Sequence, residues 1–267
     1  NQKNTFLINY YKEPSLHLVF KNELSAFNFE KDIYKTSNSS GFLKEKQRVE
    51  NIPSYKKGNW WVQDFASFLS LSNHSPKKST TKYIDLCSAP GGKAFQILSK
   101  NKNITLNDKN KSRIKILKKN LDRLNFKAKT LNIDVMDIEE KNKYDFIVLD
   151  APCSAIGTIR KNPEIFFKRT GPNFKELLVL QKKMLEKASN LLNSNGLIIY
   201  MVCSFLKVET VDQVDKFLKK NFNFIKADFK LIENKDDYLK LIKNNCMITI
   251  PNMILNCNID GYFAAYL

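Results

Sequence analysis

Residues 83–100, YIDLCSAPGGKAFQILSK, predict a short buried strand that leads through a Gly-Gly turn into a helix. Tyr83 to Cys87 is an apolar, strand-like run, and Ala94 to Lys100 has helical spacing. Gly91 and Gly92 let the backbone approach a ligand closely, and the helix N-terminus offers free N–H groups. The stretch fits neither the P-loop nor the G-x-G-x-x-G motif, which weakens a nucleoside triphosphate or dinucleotide interpretation. A Gly-Gly turn alone is more often structural than functional, so its meaning depends on the rest of the chain.

Strands and helices alternate along the chain after this unit. The predicted strands are Ile104–Asp108, Lys129–Ile133, Tyr144–Asp150 and Leu197–Val202. The predicted helices are Ile114–Leu124, Leu177–Leu192 and Val208–Lys220, with a turn at Asn193–Gly196. This alternation predicts an α/β fold with a mostly parallel, doubly wound sheet. Ligands of such sheets bind beyond the carboxyl ends of the strands.

The beginning of the chain has a different pattern. Residues 1–57 predict a small N-terminal α+β subdomain, and residues 58–267 predict one large domain. The local predictions are an apolar stretch at Phe6–Ile8, a helix or strand from Leu16 to Leu24, a loop at Lys35–Gly41, an apolar helix opened by Trp60–Asp64, and a connector at Ser72–Thr81. The chain opens on Asn1 rather than Met, so we expect a piece of a longer protein.

The chain is strongly basic, with 44 Lys and Arg against 27 Asp and Glu and a formal net charge of +17. This charge favours a polyanionic partner such as nucleic acid, although a coding bias towards Lys and Asn would also explain it. No apolar run approaches the ~20 residues of a membrane span, and no signal peptide is evident. Five cysteines without a C-x-x-C pair argue against a disulfide framework or a zinc site. We therefore expect a cytoplasmic protein without metal or membrane contact, and we expect a monomer.

Acidic and thiol side chains follow several of the predicted strands. Asp108 and Asp134 follow the second and third strands, where a carboxylate binds ribose hydroxyls in nucleotide-binding folds but is elsewhere a simple turn residue. Asp150 and Cys153 follow the fourth strand, and Cys203 follows the fifth. A single buried thiol is usually inert. Two thiols at the ligand ends of neighbouring strands indicate a reaction site.

Three ordered motifs resemble those of the RNA (cytosine-5)-methyltransferase family, most closely its bacterial 16S ribosomal RNA (cytosine-C5) methyltransferase B type. The motifs are Asp85–Lys93, Asp150–Ser154 with Arg160, Pro163 and Glu164, and Cys203-Ser204. The resemblance runs from about Gly58 to Leu267 and includes Trp60–Asp64 and Asp260–Phe263. It implies the Rossmann-like fold of class I S-adenosylmethionine-dependent methyltransferases, with S-adenosylmethionine as cofactor. Residues 1–57 resemble the small RNA-binding subdomain of this family only loosely.

The resemblance implies that the protein methylates C5 of a cytosine in RNA. This carbon is a weak nucleophile until a thiolate adds at C6 and makes it enamine-like. By resemblance Cys203 is that thiolate, Cys153 assists product release, and Asp150 supports protonation of N3, for which its carboxyl would need a raised pKa. The target base would be exposed or turned out of its stack. The implied cofactor-binding positions are Cys87, Ser88, Ala89, Pro90, Gly91, Gly92, Lys93, Asp108, Asp134 and Asp150.

The resemblance favours 16S rRNA as substrate, with tRNA as the alternative. Arg160 and Lys161 are candidates for contacting the RNA backbone near the site, and a solvated basic loop would explain them equally well. The chain also departs from the family pattern at three positions without losing a reacting group. Val202 and Ala94 stand where threonine is usual, and Ile156 stands where glycine or threonine is usual.

Two other functions stay open. A DNA cytosine methyltransferase would use Cys153 as its nucleophile, but Cys203-Ser204 and the extension through Glu164 disfavour it. A non-catalytic RNA-binding or ribosome assembly protein on the same fold would need neither thiol nor Asp150.

Overall fold

A small antiparallel sheet forms the first part of the fold. Its strands, in the spatial order β2-β3-β1-β4, are β1 (His17–Phe20), β2 (Ile33–Ser37), β3 (Ser40–Leu43) and β4 (Trp60–Val62). A short helix, α1 (Glu23–Phe27), follows β1 and begins at Asn22, whose side chain accepts a hydrogen bond from Ser25 N. The computed structural model describes residues 14–29, 31–72, 81–100, 103–141, 143–167, 171, 173–229, 236–250, 253–254 and 257–267. The stretches predicted at Phe6–Ile8 and at 73–80 lie outside these residues.

The second part of the fold is an eight-stranded sheet in the order β10-β11-β14-β9-β8-β5-β6-β7. Its strands are β5 (Tyr83–Asp85), β6 (Ile104–Asn107), β7 (Lys129–Leu131), β8 (Tyr144–Asp150), β9 (Leu192–Val202), β10 (Ile242–Lys243), β11 (Cys246–Thr249) and β14 (Tyr262–Tyr266). A separate two-stranded pair is formed by β12 (Met253–Ile254) and β13 (Cys257–Asn258). Five neighbours, β9 to β7, pair in parallel, whereas β14, β11 and β10 extend the sheet antiparallel.

Helices cover both faces of this sheet. They are α2 (Phe65–Ser72), α3 (Gly92–Leu98), α4 (Lys111–Arg123), α5 (Phe174–Leu191), α6 (Val211–Lys220) and a short α7 (Asp236–Leu239). Strand β8 shows why both faces are covered, because Phe146 and Val148 pack in the core under α2 to α4 while Ile147 and Leu149 pack under α5 and α6. The predicted mostly parallel, doubly wound sheet with a small N-terminal α+β unit is therefore confirmed.

The small sheet packs directly on the large one. On β1, Leu18 and Phe20 pack beneath α1, whereas Val19 joins the core of the large sheet together with Trp61 of β4. The loop between β3 and β4 also contacts α4, because the guanidinium of Arg123 donates to the carbonyl of Tyr55 over 3.0 Å. The small sheet continues to residue 62, beyond the division predicted at residue 57, and that division remains a prediction.

Three local predictions from sequence are wrong. The predicted loop Lys35–Gly41 is a hairpin of β2 and β3, because the Thr36 hydroxyl binds Ser40 over 2.7 Å and His17 over 2.9 Å and so satisfies buried polar groups. Trp60–Val62 is strand β4, and the helix begins only at Phe65. The predicted turn Asn193–Gly196 is an irregularity inside β9, whose pairing with β8 already starts at Leu192.

A prediction concerns Gly58, where the loop of the small sheet meets the end of α4. Gly58 has φ +65°, and a Cβ atom there would lie 1.9 Å from the carbonyl oxygen of Arg123. We expect Gly58→Ala to lower the free energy of unfolding by about 2 kcal/mol or more, because left-handed strain and a backbone clash add. The control is Gly171→Ala, since Gly171 has no atom within 4 Å of that position. Equal denaturation midpoints for the two variants would contradict this contact.

Candidate active site

The parallel strands bring the predicted site residues to one edge of the large sheet. Asp85 and Asp150 end β5 and β8, Asp108 follows β6, and Cys203 follows β9. Asp150 lies opposite Met201 in the parallel pairing of β8 with β9. Carboxyl ends of parallel strands share an edge, and loops at that edge form the ligand site of this fold class. The structure thus collects in one place the residues that the sequence spreads over more than a hundred positions.

The two predicted thiols are in contact. The Sγ atoms of Cys153 and Cys203 lie 3.3 Å apart, and both side chains are half-buried. The hydrogen bond to Cys203 and burial raise the pKa of the Cys153 thiol well above its ordinary value. Cys153 therefore keeps its proton in the resting protein and can donate it towards Cys203.

Asp150 is held from both sides. Lys93 Nζ donates to Asp150 Oδ2 over 2.6 Å, and the Tyr262 hydroxyl donates to Oδ1 over 3.4 Å. Burial alone would lower the pKa of Lys93, but the charge of Asp150 and its hydrogen bond raise it above the ordinary value. Burial and the charge of Asp150 raise the pKa of Tyr262 well above its ordinary value, so its hydroxyl remains a donor. The site therefore contains a lysine ammonium 2.6 Å from a carboxylate oxygen and next to the thiols.

Asp85 lies behind this pair and is only 1% exposed. Burial and the neighbouring charge of Asp150 raise the pKa of Asp85 to about 7. Its Oδ1 accepts a hydrogen bond from the backbone N–H of Cys87 over 3.2 Å, which ties the carboxyl to the Gly-Gly loop. Burial and the charge of Asp85 also raise the pKa of the Cys87 thiol. The Cys87 side chain therefore lines the site as an uncharged thiol.

Two cavities meet at the thiols. The first, of about 390 Å³, is lined by Asp108, Asp134 and apolar side chains such as Met184. The second, of about 470 Å³, lies towards the small sheet. Cys203, Asp150 and Cys87 line both. A thiol and a carboxylate on a shared wall can contact a group that reaches from one cavity to the other.

The predicted cofactor-binding residues divide between these cavities. Cys87, Asp108, Asp134 and Asp150 line the first, and the loop from Ser88 to Lys93 lines the second. Asp108 is 3% exposed and binds the backbone N–H of Ala89 over 3.3 Å. Asp134 is 44% exposed and accepts from the backbone N–H of Met136 over 3.0 Å.

Arg160 and Lys161 belong to a charged cluster between the loop after Cys153 and the chain end. The guanidinium of Arg160 is 0% exposed and pairs with Asp260 over 2.8 Å. Lys161 is 34% exposed and bridges Asp260 over 2.7 Å and Asp64 over 2.8 Å. Burial and the nearby Asp64 raise the pKa of Asp260 to about 6. In this structure both cations are engaged within the protein, and Arg160 offers no surface to a partner.

Glu209 is a residue of the site that sequence reasoning missed. Its side chain is fully buried and accepts four hydrogen bonds. Ser154 donates its N–H over 2.8 Å and its hydroxyl over 2.6 Å, and the Ser204 hydroxyl donates over 2.7 Å. Gln181 Nε2 donates over 3.1 Å. One carboxylate thus joins the residue after Cys153 to the residue after Cys203, and a lone Glu in a polar stretch carries no sequence signal for that role.

The residues that the structure describes offer neither a metal site nor a membrane span. Within them no group of three or more His, Cys, Asp and Glu side chains could hold a metal ion. None of the described helices is long and apolar enough for a membrane crossing.

Relatives with curated names match most of this chain. Ribosomal RNA small subunit methyltransferase B of Shewanella oneidensis is 33% identical over 200 residues, which cover 73% of this chain and 45% of the relative. The protein of the same name from Vibrio vulnificus is 34% identical over 177 residues, which cover 64% of this chain and 41% of the relative. The chain therefore spans less than half the length of these relatives.

A solved structure matches nearly the whole chain, and a family model matches its larger part. The structure titled "Crystal Structure of PH0851" superposes on 99% of this chain and 62% of its own, with a TM-score of 0.83 and 24% identity, a likeness of fold. Residues 73–267 match the family described as 16S rRNA methyltransferase RsmB/F. With this match and that of the Shewanella relative, the chain belongs to the RsmB/F family of 16S rRNA methyltransferases.

Proposed function

We propose that this protein methylates C5 of a cytosine in RNA, with S-adenosylmethionine as methyl donor and 16S rRNA as the favoured substrate. The observation that carries this proposal is the pair of thiols 3.3 Å apart, in which Cys153 lines the first cavity and Cys203 lies on the wall shared by both. The family and the relatives named small subunit methyltransferase B support the substrate. tRNA is the alternative substrate.

The cavities suit the two reactants. A volume of about 390 Å³ lies in the range of small-molecule sites. Asp108 and Asp134 would bind ribose hydroxyls there. Cys87, which lines both cavities, and the adjoining loop to Lys93 at the border with the second cavity would bind the amino-acid end of the cofactor. The cofactor would supply an electrophilic methyl group. The target cytosine would enter the second cavity, next to Lys93, Asp150 and Cys203.

Cys203 acts as the nucleophile. Its thiolate adds to C6 of cytosine, an S–C bond forms, and the C5=C6 electron pair moves towards N3, which takes a proton. C5 can then accept the methyl group. Because Asp150 accepts from the Lys93 ammonium over 2.6 Å, we assign the N3 proton to this pair rather than to a neutral Asp150 alone.

Cys153 acts in product release. Release needs loss of the C5 proton and cleavage of the S–C6 bond, which returns its electron pair to Cys203. The hydrogen bond to Cys203 and burial raise the pKa of Cys153, so its thiolate, formed when its proton passes to solvent, is a strong base that can take the C5 proton. Its position 3.3 Å from Cys203 Sγ keeps it beside the adduct.

The small sheet would help to hold the RNA. We assign RNA binding to the subdomain of residues 1–57. Val62, at the end of β4 in the small sheet, and Gln63 line the cavity assigned to the base. Arg160 is given a structural role, and Lys161, 34% exposed, is the one of the pair that can also reach a phosphate.

The thiol assignment is tested by methyl transfer from labelled S-adenosylmethionine to RNA lacking 5-methylcytosine. Cys203→Ala is expected to lose activity by more than about a thousandfold, because no adduct forms. Cys153→Ala is expected to accumulate a covalent RNA adduct on a denaturing gel. Cys246→Ala is the control, since Cys246 is a free thiol buried in the core. Activity that survives in Cys203→Ala, or adducts that form on DNA through Cys153, would contradict the assignment.

A further prediction concerns Glu209, which we propose as a positioning residue for the two thiols. Glu209→Gln replaces the carboxylate by a neutral amide, so the bonds to Ser154 and Ser204 lose their charge assistance, at a cost of about 1 kcal/mol each. We expect kcat to fall by at least about tenfold, with the affinity for sinefungin, a cofactor analogue, unchanged.

The control for this measurement is Glu186→Gln, because the Glu186 side chain on α5 is 44% exposed and its ion pair with Lys182 spans 3.9 Å. We expect it to change kcat by less than about twofold. If Glu209→Gln lowers the unfolding midpoint but leaves kcat of the folded protein intact, Glu209 only stabilises the fold.

A further inference from the structure

Residues 109–129 hold nearly half of the net charge of the chain. Nine Lys and Arg residues face the single acid Asp122, a difference of +8 within a total of +17. The nine are Lys109, Lys111, Arg113, Lys115, Lys118, Lys119, Arg123, Lys127 and Lys129. A coding bias towards Lys would spread the charge along the chain, so this concentration needs another cause.

Helix α4 has an apolar, buried face and a basic, exposed face. Ile114, Leu117 and Leu121 are buried against the large sheet. Lys111, Lys115, Lys118 and Lys119 recur at helical spacing on the other side and are all exposed; we call them the α4 lysine stripe. Like charges at this spacing destabilise a helix. The stripe therefore has a cost that fold stability does not explain.

The α4 lysine stripe has no acidic partner. Within the described part of the chain no carboxylate lies within 4.0 Å of these four ammonium groups, whereas the two other long helices each carry an acid that pairs with a lysine. On α5, Lys182 pairs with Glu186 over 3.9 Å. On α6, Asp215 pairs with Lys226 over 3.7 Å. The stripe is thus left for an external anion.

The stripe is anchored to the active site. Asn120 Nδ2 donates to the carbonyl of Pro90 over 3.1 Å, and the guanidinium of Arg113 donates to the carbonyl of Ala89. Both acceptors lie in the Gly-Gly loop. Lys109 and Arg113 also line the first cavity. The stripe therefore starts at the mouth of that cavity and extends about 12 Å along the helix.

More cations lie near the far end of α4. Arg123 is turned inwards and binds the carbonyls of Tyr55 and Trp60 over 3.0 and 3.1 Å. This contact brings the loop with the exposed Lys56 and Lys57 to the end of the helix. The basic surface therefore continues from the large sheet to the small one.

We propose that the α4 lysine stripe, continued by Lys56 and Lys57, binds the phosphate backbone of the RNA substrate. This inference rests on the proposed function. Exposed lysines act as mobile point charges, which suits contacts that hold a backbone without reading its bases. The stripe fixes the strand along one side of the protein, and the target base then reaches the thiols.

The test compares two triple variants with the same spacing and the same loss of charge. Lys115→Gln, Lys118→Gln and Lys119→Gln together remove most of the stripe. Lys216→Gln, Lys219→Gln and Lys220→Gln together remove three exposed lysines of α6. Binding of a fluorescein-labelled, mixed-sequence single-stranded RNA is followed by anisotropy over a salt series. Binding of sinefungin is measured in parallel and is expected to stay unchanged, which shows that the variants are folded.

We expect the α4 variant to bind the RNA at least about tenfold more weakly near 0.1 M salt, and the slope of log K against log salt to fall by about 2. The α6 variant should differ from the wild type by less than about twofold. Equal losses in both variants would overturn the proposal, because affinity would then follow total charge. Unchanged RNA binding with lost binding to phosphatidylserine vesicles in the α4 variant would also overturn it.

The readout separates this proposal from the proposed function. If the wild type transfers no methyl group but its RNA binding depends on α4, the proposed function fails and the phosphate-binding surface stands. If it methylates RNA and the two triple variants behave alike, the surface fails and the proposed function stands.

Discussion

The parallel pairing of β8 with β9 is the constraint on which the site depends. It places Asp150 opposite Met201, and the N–H of Ala151 continues the pairing by donating to the Met201 carbonyl over 2.9 Å. Strands β8 and β9 end at the same level of the sheet. The thiols of Cys153 and Cys203 therefore meet although they are 50 residues apart in the sequence. Glu209 then holds both exits through Ser154 and Ser204. The register of β8 and β9 brings the two thiols close together, and the buried carboxylate of Glu209 holds them in that position.

Buried charged groups of this protein are held by hydrogen bonds, whereas the lysines on the surface of α4 have no ion pair with a described residue. Inside, Glu209 accepts four hydrogen bonds and Asp150 accepts from Lys93 and Tyr262, as desolvated carboxylates require. Buried guanidinium groups are less completely bonded, because Nε and Nη1 of Arg160 and Nε of Arg123 have no hydrogen-bond partner among the described residues. Arg160 is held by its bond to Asp260 over 2.8 Å. Outside, the lysines of α4 stay unpaired. Buried charge is therefore fixed by hydrogen bonds, whereas the charge of the α4 lysine stripe is left without an ion pair in the described part of the chain.

The parallel core was predictable because its signals are local and strong. Tyr144–Asp150 is an apolar run that can only be a buried strand, and its bounds agree with the structure. The hairpin of β2 and β3 was not predictable, since its Ser and Thr residues look like a loop until His17, distant in sequence, supplies a hydrogen-bond partner. The same holds for the site. Cysteines that follow predicted strands can be recognised from the sequence. Glu209 cannot, because its role depends on hydrogen-bond partners 5 to 55 residues away.

The position of β14 in the large sheet determines when that sheet can finish folding during synthesis. This strand, made after all the others of the sheet, inserts between β9 and β11, and Leu267 exchanges two hydrogen bonds with Ile198. It also carries Tyr262, the second donor to Asp150. During synthesis the growing chain therefore holds an open edge at β9 until residue 266 has left the ribosome. The nascent protein has both thiols early, but Asp150 acquires its second donor only after β14 has been made.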